Sequence, residues 1–491
     1  MTTYLCVYFG SLFVALVTTP IVIWLARRTG AVDRPGVRTV HKRPIPRIGG
    51  VAIFVSAMVL IVAVVFLDNS IGKAFREVRL ELTTLLSAAS LVFLVGLIDD
   101  LRGLPARVKF IIELLATAAL CAVGVRITDI GLPAGPIMAL GFWGWLLTLL
   151  WVVGITNAVN LSDGLDGLAA GISAITSGVI AVLSIHTGDV IMAVFMLALL
   201  GSLSGFLFFN FNPARVFMGD CGSLFLGFTI AASSVMCMTK SAALVGLALP
   251  ALALGVPIFD TLFSMLRRFL EGRSLFSSDR SHFHHRLLAM GLRQRHVVLT
   301  IYLLTLVFAG LGLFMLVSSD IQSLAIFVCV LVLIVLVFRV VGAVQFYETM
   351  TRLREKYALA QREKQERKIF EDLQLRFWQA SDDERWRQAV CEAAERMDFA
   401  WLSLKTVHAD GRSETEIWRG SNMKPDRSRI VSMTIPFTNG EAGARYEFEI
   451  AIRVNGSIES ASHRATLFGR LLDEYMTAAK PERHESPAVS F

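Results

Sequence analysis

Over roughly the first 340 positions of this chain, long apolar runs alternate with short polar gaps, and beyond them the pattern changes. A helix that crosses the hydrocarbon layer needs about 20 mostly apolar residues. Eleven segments qualify: 4–26, 48–67, 80–98, 108–125, 138–158, 167–187, 190–209, 221–238, 242–263, 297–318 and 321–338. Two of the runs, MALGFWGWLLTLLWVVGIT and ISAITSGVIAVLSIHTG, contain no Asp, Glu, Lys or Arg. The first segment is longer than the apolar part of a signal peptide, and basic residues follow it instead of preceding it, so it is expected to remain as a crossing. The pattern predicts an all-α polytopic membrane domain over residues 1–342 with about eleven transmembrane helices.

After Arg339 the chain turns polar. In FYETMTRLREKYALAQREKQERKIFEDLQLRFW, the residues Phe346, Met350, Leu353 and Tyr357 recur at helical spacing, which predicts an amphipathic helical linker over 343–379. RWRQAVCEAAERM then reads as a helix, while WLSLKTV, TEIW, IVSMTIPF and YEFEIAIRV alternate as strands do, and HRATLFGRLLDEYMTA closes as a helix. Residues 380–480 are therefore expected to form a small α/β domain, large enough for its own core. The tail 481–491, PERHESPAVSF, is expected to be disordered.

Charge divides the chain along the same line. Residues 1–342 hold 24 Lys and Arg against 16 Asp and Glu, and 343–491 hold 23 against 24, so the net charge of +7 belongs to the apolar part. There, the gaps after odd-numbered segments carry 18 Lys and Arg and the opposite gaps 5. Basic loops mark the cytoplasmic side, which predicts an N-terminus outside and a cytoplasmic C-terminal domain. The six cysteines fall mostly inside apolar segments without metal or disulfide spacing and read as small fillers.

Four gaps on the predicted cytoplasmic side carry chemistry: GLIDDLRGLPARVKF (96–110), NAVNLSDGLDGLAAG (157–171), NFNPARVFMGDCGS (210–223) and RSLFSSDRSHFHHRLL (273–288). They bring Asp99, Asp100, Asp163, Asp166 and Asp220 to one depth, and Asp260 near the end of its segment adds a sixth carboxylate. Ionisable groups at membrane depth are costly and point to a site. Packed carboxylates repel unless cations neutralise them; Lys109, Arg215, Arg280, His282, His284 and His285 supply some of that charge. Hard oxygen donors favour Mg²⁺ for the rest, bound through one or two carboxylates together with substrate phosphates. Any one of these acids alone reads as a solvated loop residue. Their convergence on one face, among basic and glycine-rich partners, does not.

HKRPIPRIGG (41–50), DDLRGLPARVK (99–109), NAVNLSDGLDGLA (157–169), NPARVFMGDCGS (212–223) and DRSHFHHRL (279–287), in this order over roughly residues 1–340, resemble the polyprenyl-phosphate N-acetylhexosamine-1-phosphate transferases. The resemblance implies transfer of a sugar 1-phosphate from a UDP-N-acetylhexosamine to a polyprenyl phosphate in the bacterial cytoplasmic (inner) membrane, with release of UMP. HFHH after Arg280 is similar to the branch that uses UDP-GlcNAc and begins O-antigen, lipopolysaccharide and related glycans. The phospho-MurNAc-pentapeptide transferases are the alternative branch, and a transporter with a cytoplasmic regulatory domain is the alternative of another class.

The family resemblance also implies roles. Asp220, helped by Asn160, corresponds to the Mg²⁺ ligand, with Mn²⁺ as a substitute; Asp99 and Asp100 correspond to paired catalytic carboxylates, and Asp163 to a further catalytic acid. Lys42, Asp166, Asn210 and Phe217 correspond to nucleotide contacts, with Phe217 stacking on uracil. Lys109, Arg280, His282, His284 and His285 correspond to phosphate and sugar contacts. SLFSSDR departs from the branch, which often has a proline before the phenylalanine. The expected partners are the two substrates, the bilayer and a second copy of the chain, without nucleic acid. The C-terminal domain resembles a small regulatory GAF-type fold, though no motif carries that likeness.

Overall fold

A computed structural model describes residues 2–33, 44–68, 70–77, 79–131, 137–238, 243–271, 282–318, 320–341, 346–380, 383–407, 412–420, 430–438, 445–454 and 458–478. Two units divide the chain at Thr349 and Met350.

The first unit is a helical bundle. It begins with α1 (Thr2–Thr29), a short hairpin of β1 (Val32–Asp33) and β2 (Ile45–Pro46), α2 (Gly50–Val65), α3 (Ser70–Glu77), α4 (Arg79–Arg102) and α5 (Ala106–Ala122). A second hairpin, β3 (Asp129–Gly131) with β4 (Ile137–Ala139), precedes α6 (Phe142–Ser162), α7 (Leu168–His186), α8 (Val190–Asn210) and α9 (Gly219–Met238). The unit continues through α10 (Ala243–Ala253), α11 (Gly255–Glu271), α12 (Phe283–Ala289), α13 (Gln294–Phe314) and α14 (Asp320–Val340).

Among the described residues, eight helices are long and apolar enough to cross a membrane: α1, α4, α6, α7, α8, α9, α13 and α14. The other three predicted crossings fall on α2, of 16 residues, on α5, of 17 residues with Arg107, Lys109 and Glu113 in it, and on the pair α10 and α11, interrupted at Leu254. The bundle centre is α9, packed mainly against α4 and α6, and α9, α7 and α8 are the most buried of the eight. Leu5, Phe9, Phe13 and Trp24 on α1 and Val332 and Leu336 on α14 are exposed. Outward apolar side chains on helices that satisfy their own backbone hydrogen bonds are what a lipid environment selects, so this is a polytopic membrane protein.

The second unit begins within α15 (Phe346–Gln379) and contains α16 (Asp383–Arg396), β5 (Phe399–Val407), β6 (Ser413–Arg419), β7 (Ile430–Thr438), β8 (Arg445–Arg453) and α17 (Ile458–Ala478). The strands form one antiparallel sheet in the order β6-β5-β8-β7. Alternation sends Leu402, Leu404, Phe448, Ile450 and Ile452 into a core with Trp386, Ala393, Phe468 and Leu471. Lys405 and Glu447 face each other on the same sheet at 3.6 Å. Phe370, Leu373 and Phe377 are buried in this core, so the helix expected to serve as a linker gives its last turns to the domain.

Candidate active site

The site is assembled where α4 ends, α5 begins, α6 ends and α9 begins. Arg47, next to the β1–β2 hairpin, donates its Nε to the Asp100 carbonyl at 2.6 Å and an Nη to the Asp99 carbonyl at 3.3 Å. A guanidinium at the carbonyl end of a helix satisfies groups that have no intrahelical donor and complements the helix dipole. The last turn of α4 is thereby anchored, and its two acids diverge.

Asp99 accepts the Leu104 N–H on Oδ1 and the Lys109 ammonium on Oδ2, the latter at 2.7 Å. The same ammonium lies 2.6 Å from Asp220 Oδ2, so one cation bridges carboxylates of α4 and α9. Asn160 of α6 donates Nδ2 to Asp220 Oδ1 at 3.2 Å and to Ser223 Oγ at 2.8 Å. Asp100, by contrast, takes the backbone N–H groups of Asp220 and Cys221 at 3.0 and 2.9 Å and is buried. It closes the N-terminus of α9, where a carboxylate is favoured.

The glycines of RIGG explain how α2 reaches this junction. The Gly50 N–H donates to the Met218 carbonyl at 2.7 Å, and a Cβ at Gly50 would lie 2.2 Å from the Gly222 nitrogen. No larger residue fits such a backbone approach. Phe217 is held in the same seam, its N–H on the Pro46 carbonyl at 2.7 Å and its carbonyl taking the Gly49 N–H at 2.9 Å.

Asp163 stands at the C-cap of α6, half-buried, and its carboxylate accepts no hydrogen bond among the described residues. Burial, reinforced by the charges of Asp220, Asp100 and Asp166, pushes it up to about 8. Asp166 is occupied differently: its Oδ2 accepts the Asn212 side-chain amide at 2.9 Å and the Ala214 N–H at 3.0 Å. Asn210 is 2% exposed and donates to the Val216 carbonyl at 2.8 Å. Both residues thus brace the loop that presents Phe217.

Asp260 of α11 is engaged by the HFHH segment. Its Oδ1 accepts the Phe283 N–H at 2.8 Å and its Oδ2 lies 3.1 Å from His282 Nδ1. This pairing turns α12 so that His284 meets the DGLDG loop: a Cβ at Gly164 would lie 2.7 Å from His284 Nε2. His284 is buried, its Nε2 has no partner among the described residues, and burial holds its imidazole down at about 3. The His285 ring centroid is 4.4 Å from that of His284. Lys42 and Arg280 lie outside the described residues.

The sequence reading passed over three residues that shape the site. Arg47 stands inside a quoted motif and anchors α4. Tyr302 of α13 donates its hydroxyl to the Gly167 carbonyl at 2.5 Å, under the turn into α7, where Gly167 has φ +79°. Glu113, inside α5, accepts the Asn157 amide at 2.6 Å; a lone carboxylate in an apolar segment was the available signal.

Among the described residues, no three His, Cys, Asp or Glu side chains converge as a ready metal cage. The donor chemistry nonetheless suits a hard cation that shares its ligands with a phosphate: Asp220 and Asn160 are adjacent, and Asp163, which accepts no hydrogen bond among the described residues, is close enough to feel the charge of Asp220.

Residues 82–238 match the model of glycosyl transferase family 4. The chain is 42% identical over 300 residues to a probable undecaprenyl-phosphate N-acetylglucosaminyl 1-phosphate transferase of Bacillus subtilis (strain 168), spanning 61% of this chain and 81% of that protein. It is 38% identical over 303 residues to a decaprenyl-phosphate N-acetylglucosaminephosphotransferase of Mycobacterium tuberculosis (strain ATCC 25618 / H37Rv), spanning 57% and 74%. Similarity extends to a phospho-N-acetylmuramoyl-pentapeptide-transferase of Desulforamulus reducens, 33% identical over 325 residues and spanning 62% and 92%.

Proposed function

Because this chain belongs to glycosyl transferase family 4, the polyprenyl-phosphate N-acetylhexosamine-1-phosphate transferases, we propose that it moves N-acetylglucosamine 1-phosphate from UDP-N-acetylglucosamine to a polyprenyl phosphate. An oxygen of the lipid phosphate attacks the phosphorus that carries the sugar, the bond from that phosphorus to the bridging oxygen breaks, and UMP departs with that oxygen. The product is a polyprenyl-diphosphate-sugar that begins a cell-envelope glycan. Higher identity to the two N-acetylglucosamine relatives than to the pentapeptide transferase supports the choice of sugar.

One observation carries this reading: the Lys109 ammonium sits between Asp99 and Asp220 at 2.7 and 2.6 Å, with Asp163 near enough to feel the charge of Asp220. Phosphoryl transfer needs positioned charge more than covalent chemistry. Lys109 holds the reacting phosphates, Asp99 holds Lys109, and Asp100 sets the start of α9. Asp163, whose carboxylate accepts no hydrogen bond among the described residues, takes the proton of an incoming lipid phosphate. Asp220 and Asn160 would hold Mg²⁺, or Mn²⁺ in its place, which when bound neutralises the diphosphate and the leaving group. Phe217 stacks on the uracil, in a loop braced by Asp166 and Asn210, with Lys42 on the nucleotide. Arg280, His282, His284 and His285 face the diphosphate and the sugar.

In the same proposal eleven crossings, counting α2, α5 and the α10–α11 pair, place the N-terminus outside and this site at the cytoplasmic face of the bacterial inner membrane. The C-terminal unit is cytoplasmic and regulatory, and α15 pairs two copies of the chain. The test is UMP release by purified protein from UDP-N-acetylglucosamine with undecaprenyl phosphate and Mg²⁺, with loss on chelation. Release only from UDP-MurNAc-pentapeptide would transfer the chain to the other branch, and release from neither donor would refute the reading.

A further inference from the structure

The roles above leave Glu113, a buried carboxylate of the membrane part, without a task in the reaction. Glu113 is 2% exposed on α5, within FIIELLATAAL, a run otherwise free of charge. Its Oε2 accepts the Asn157 Nδ2–H at 2.6 Å, and Asn157 also donates to the Val153 carbonyl of its own helix at 2.9 Å. The other oxygen, Oε1, is buried and has no hydrogen-bond partner among the described residues. Such a group is costly at this depth, and an apolar residue would pack there without that cost.

The spacing shows what the carboxylate gains. Glu113 is four residues after Lys109, so the two share a face of α5, and Asn157 is three residues before Asn160, so those two share a face of α6. The helices therefore carry two successive polar rungs. One is Glu113 with Asn157; the next is Lys109 with Asp220 and Asn160. Rotating α5 by one residue turns its side chains by about 100° and breaks both rungs together.

Resting on the transferase reading, we propose that Glu113 is a positioning residue: its hydrogen bond to Asn157 fixes α5 against α6 in the register that sets Lys109 between Asp99 and Asp220. The role belongs to the hydrogen bond. Glu113→Gln keeps a carbonyl oxygen for the Asn157 amide, whereas Glu113→Leu keeps the approximate volume and removes the acceptor.

The full-length protein tests this through acylation of Lys109 by an amine-reactive ester, followed by mass spectrometry, together with kcat and KM for UMP release. Glu113→Leu should keep a cooperative thermal transition, raise Lys109 acylation several-fold, and lower kcat about tenfold or more with the KM for UDP-sugar little changed. Glu113→Gln should match the wild type in each measurement. Should Glu113→Leu fail to fold, Asn157→Leu removes the same bond from α6 and carries the same expectation. Unchanged Lys109 acylation in the folded leucine variant overturns the proposal, and so does a glutamine variant that behaves like leucine. An inactive wild type whose Lys109 acylation still responds to Glu113→Leu would refute the transferase reading and leave the positioning role standing.

Discussion

Asp100 closes the helix that Asp220 begins: its Oδ1 is 3.0 Å from the Asp220 backbone nitrogen, while its Oδ2 takes the next N–H, that of Cys221, at 2.9 Å. Its neighbour Asp99 faces the other way, onto Lys109. Successive residues of a helix point about 100° apart, so adjacent acids in DDLRG serve different helices.

That division predicts different failures. Asp100→Ala leaves two N–H groups at the start of α9 without their acceptor, which costs about 1–2 kcal/mol and moves Asp220 as well, so thermal midpoint and UMP release should fall together. Asp99→Asn keeps an acceptor for the Leu104 N–H and removes only the charge facing Lys109. Its midpoint should hold while turnover drops by roughly one to two orders of magnitude. Thermal unfolding in detergent beside a UMP assay decides; equal midpoints for the two variants would count against the division.

Gly164 tests whether the HFHH segment and the DGLDG loop work as one surface. Its backbone does not require glycine, but a methyl there would lie 2.7 Å from His284 Nε2. Gly164→Ala should therefore fold normally and lose turnover, because α12 must shift to relieve the contact. Pairing it with His284→Ala should return the loop to its place without restoring the sugar contact. A fully active Gly164→Ala would show that the two segments move independently.

These relationships mark what the sequence could and could not tell. The apolar segments and the five polar motifs were legible because each is local: α6, α7 and α8 occupy nearly the positions that periodicity predicts. The bridge from Lys109 to Asp220 joins residues 111 apart, and no local pattern encodes it. The interruption at Leu254 was hidden because the chain stays apolar on both sides of it, and hydropathy registers composition, not backbone direction. Glu113 was passed over because one acid hardly lowers the apolarity of its segment. Phe370, Leu373 and Phe377 do carry a helical period, yet the charged residues around them made the segment read as a linker.

His284 gives a pH dependence with a definite sign. Burial lowers its folded value to about 3 from an ordinary 6.5, so between those values the unfolded chain binds the extra proton. The stability it contributes is fully present above about 6.5 and is lost as pH falls toward 3, amounting to about 2 kcal/mol between pH 7 and pH 5. The midpoint of the wild type should drop over that interval, and His284→Asn, which cannot take the proton, should show a shallower drop. Identical slopes would mean that His284 titrates as an exposed histidine.

The last prediction separates the two units. Arg464 of α17 is buried and donates to the Met397 carbonyl at 2.9 Å and the Arg453 carbonyl at 2.6 Å, within a core that Phe399, Phe448 and Phe468 fill. Arg464→Met removes the buried donor that both carbonyls share, at a cost of about 1–3 kcal/mol for each bond lost. In the full chain it should lower the melting of the α/β unit alone, because among the described residues that core contains none before Ile369. UMP release should persist at nearly the full rate, both in this variant and in a chain truncated after Gly342, since every residue assigned to the reaction precedes that point. A truncated chain that still binds UDP-sugar yet releases no UMP would make the second unit part of the catalytic apparatus. A truncated chain with normal turnover in detergent but altered glycan output in cells would place its action on regulation or assembly.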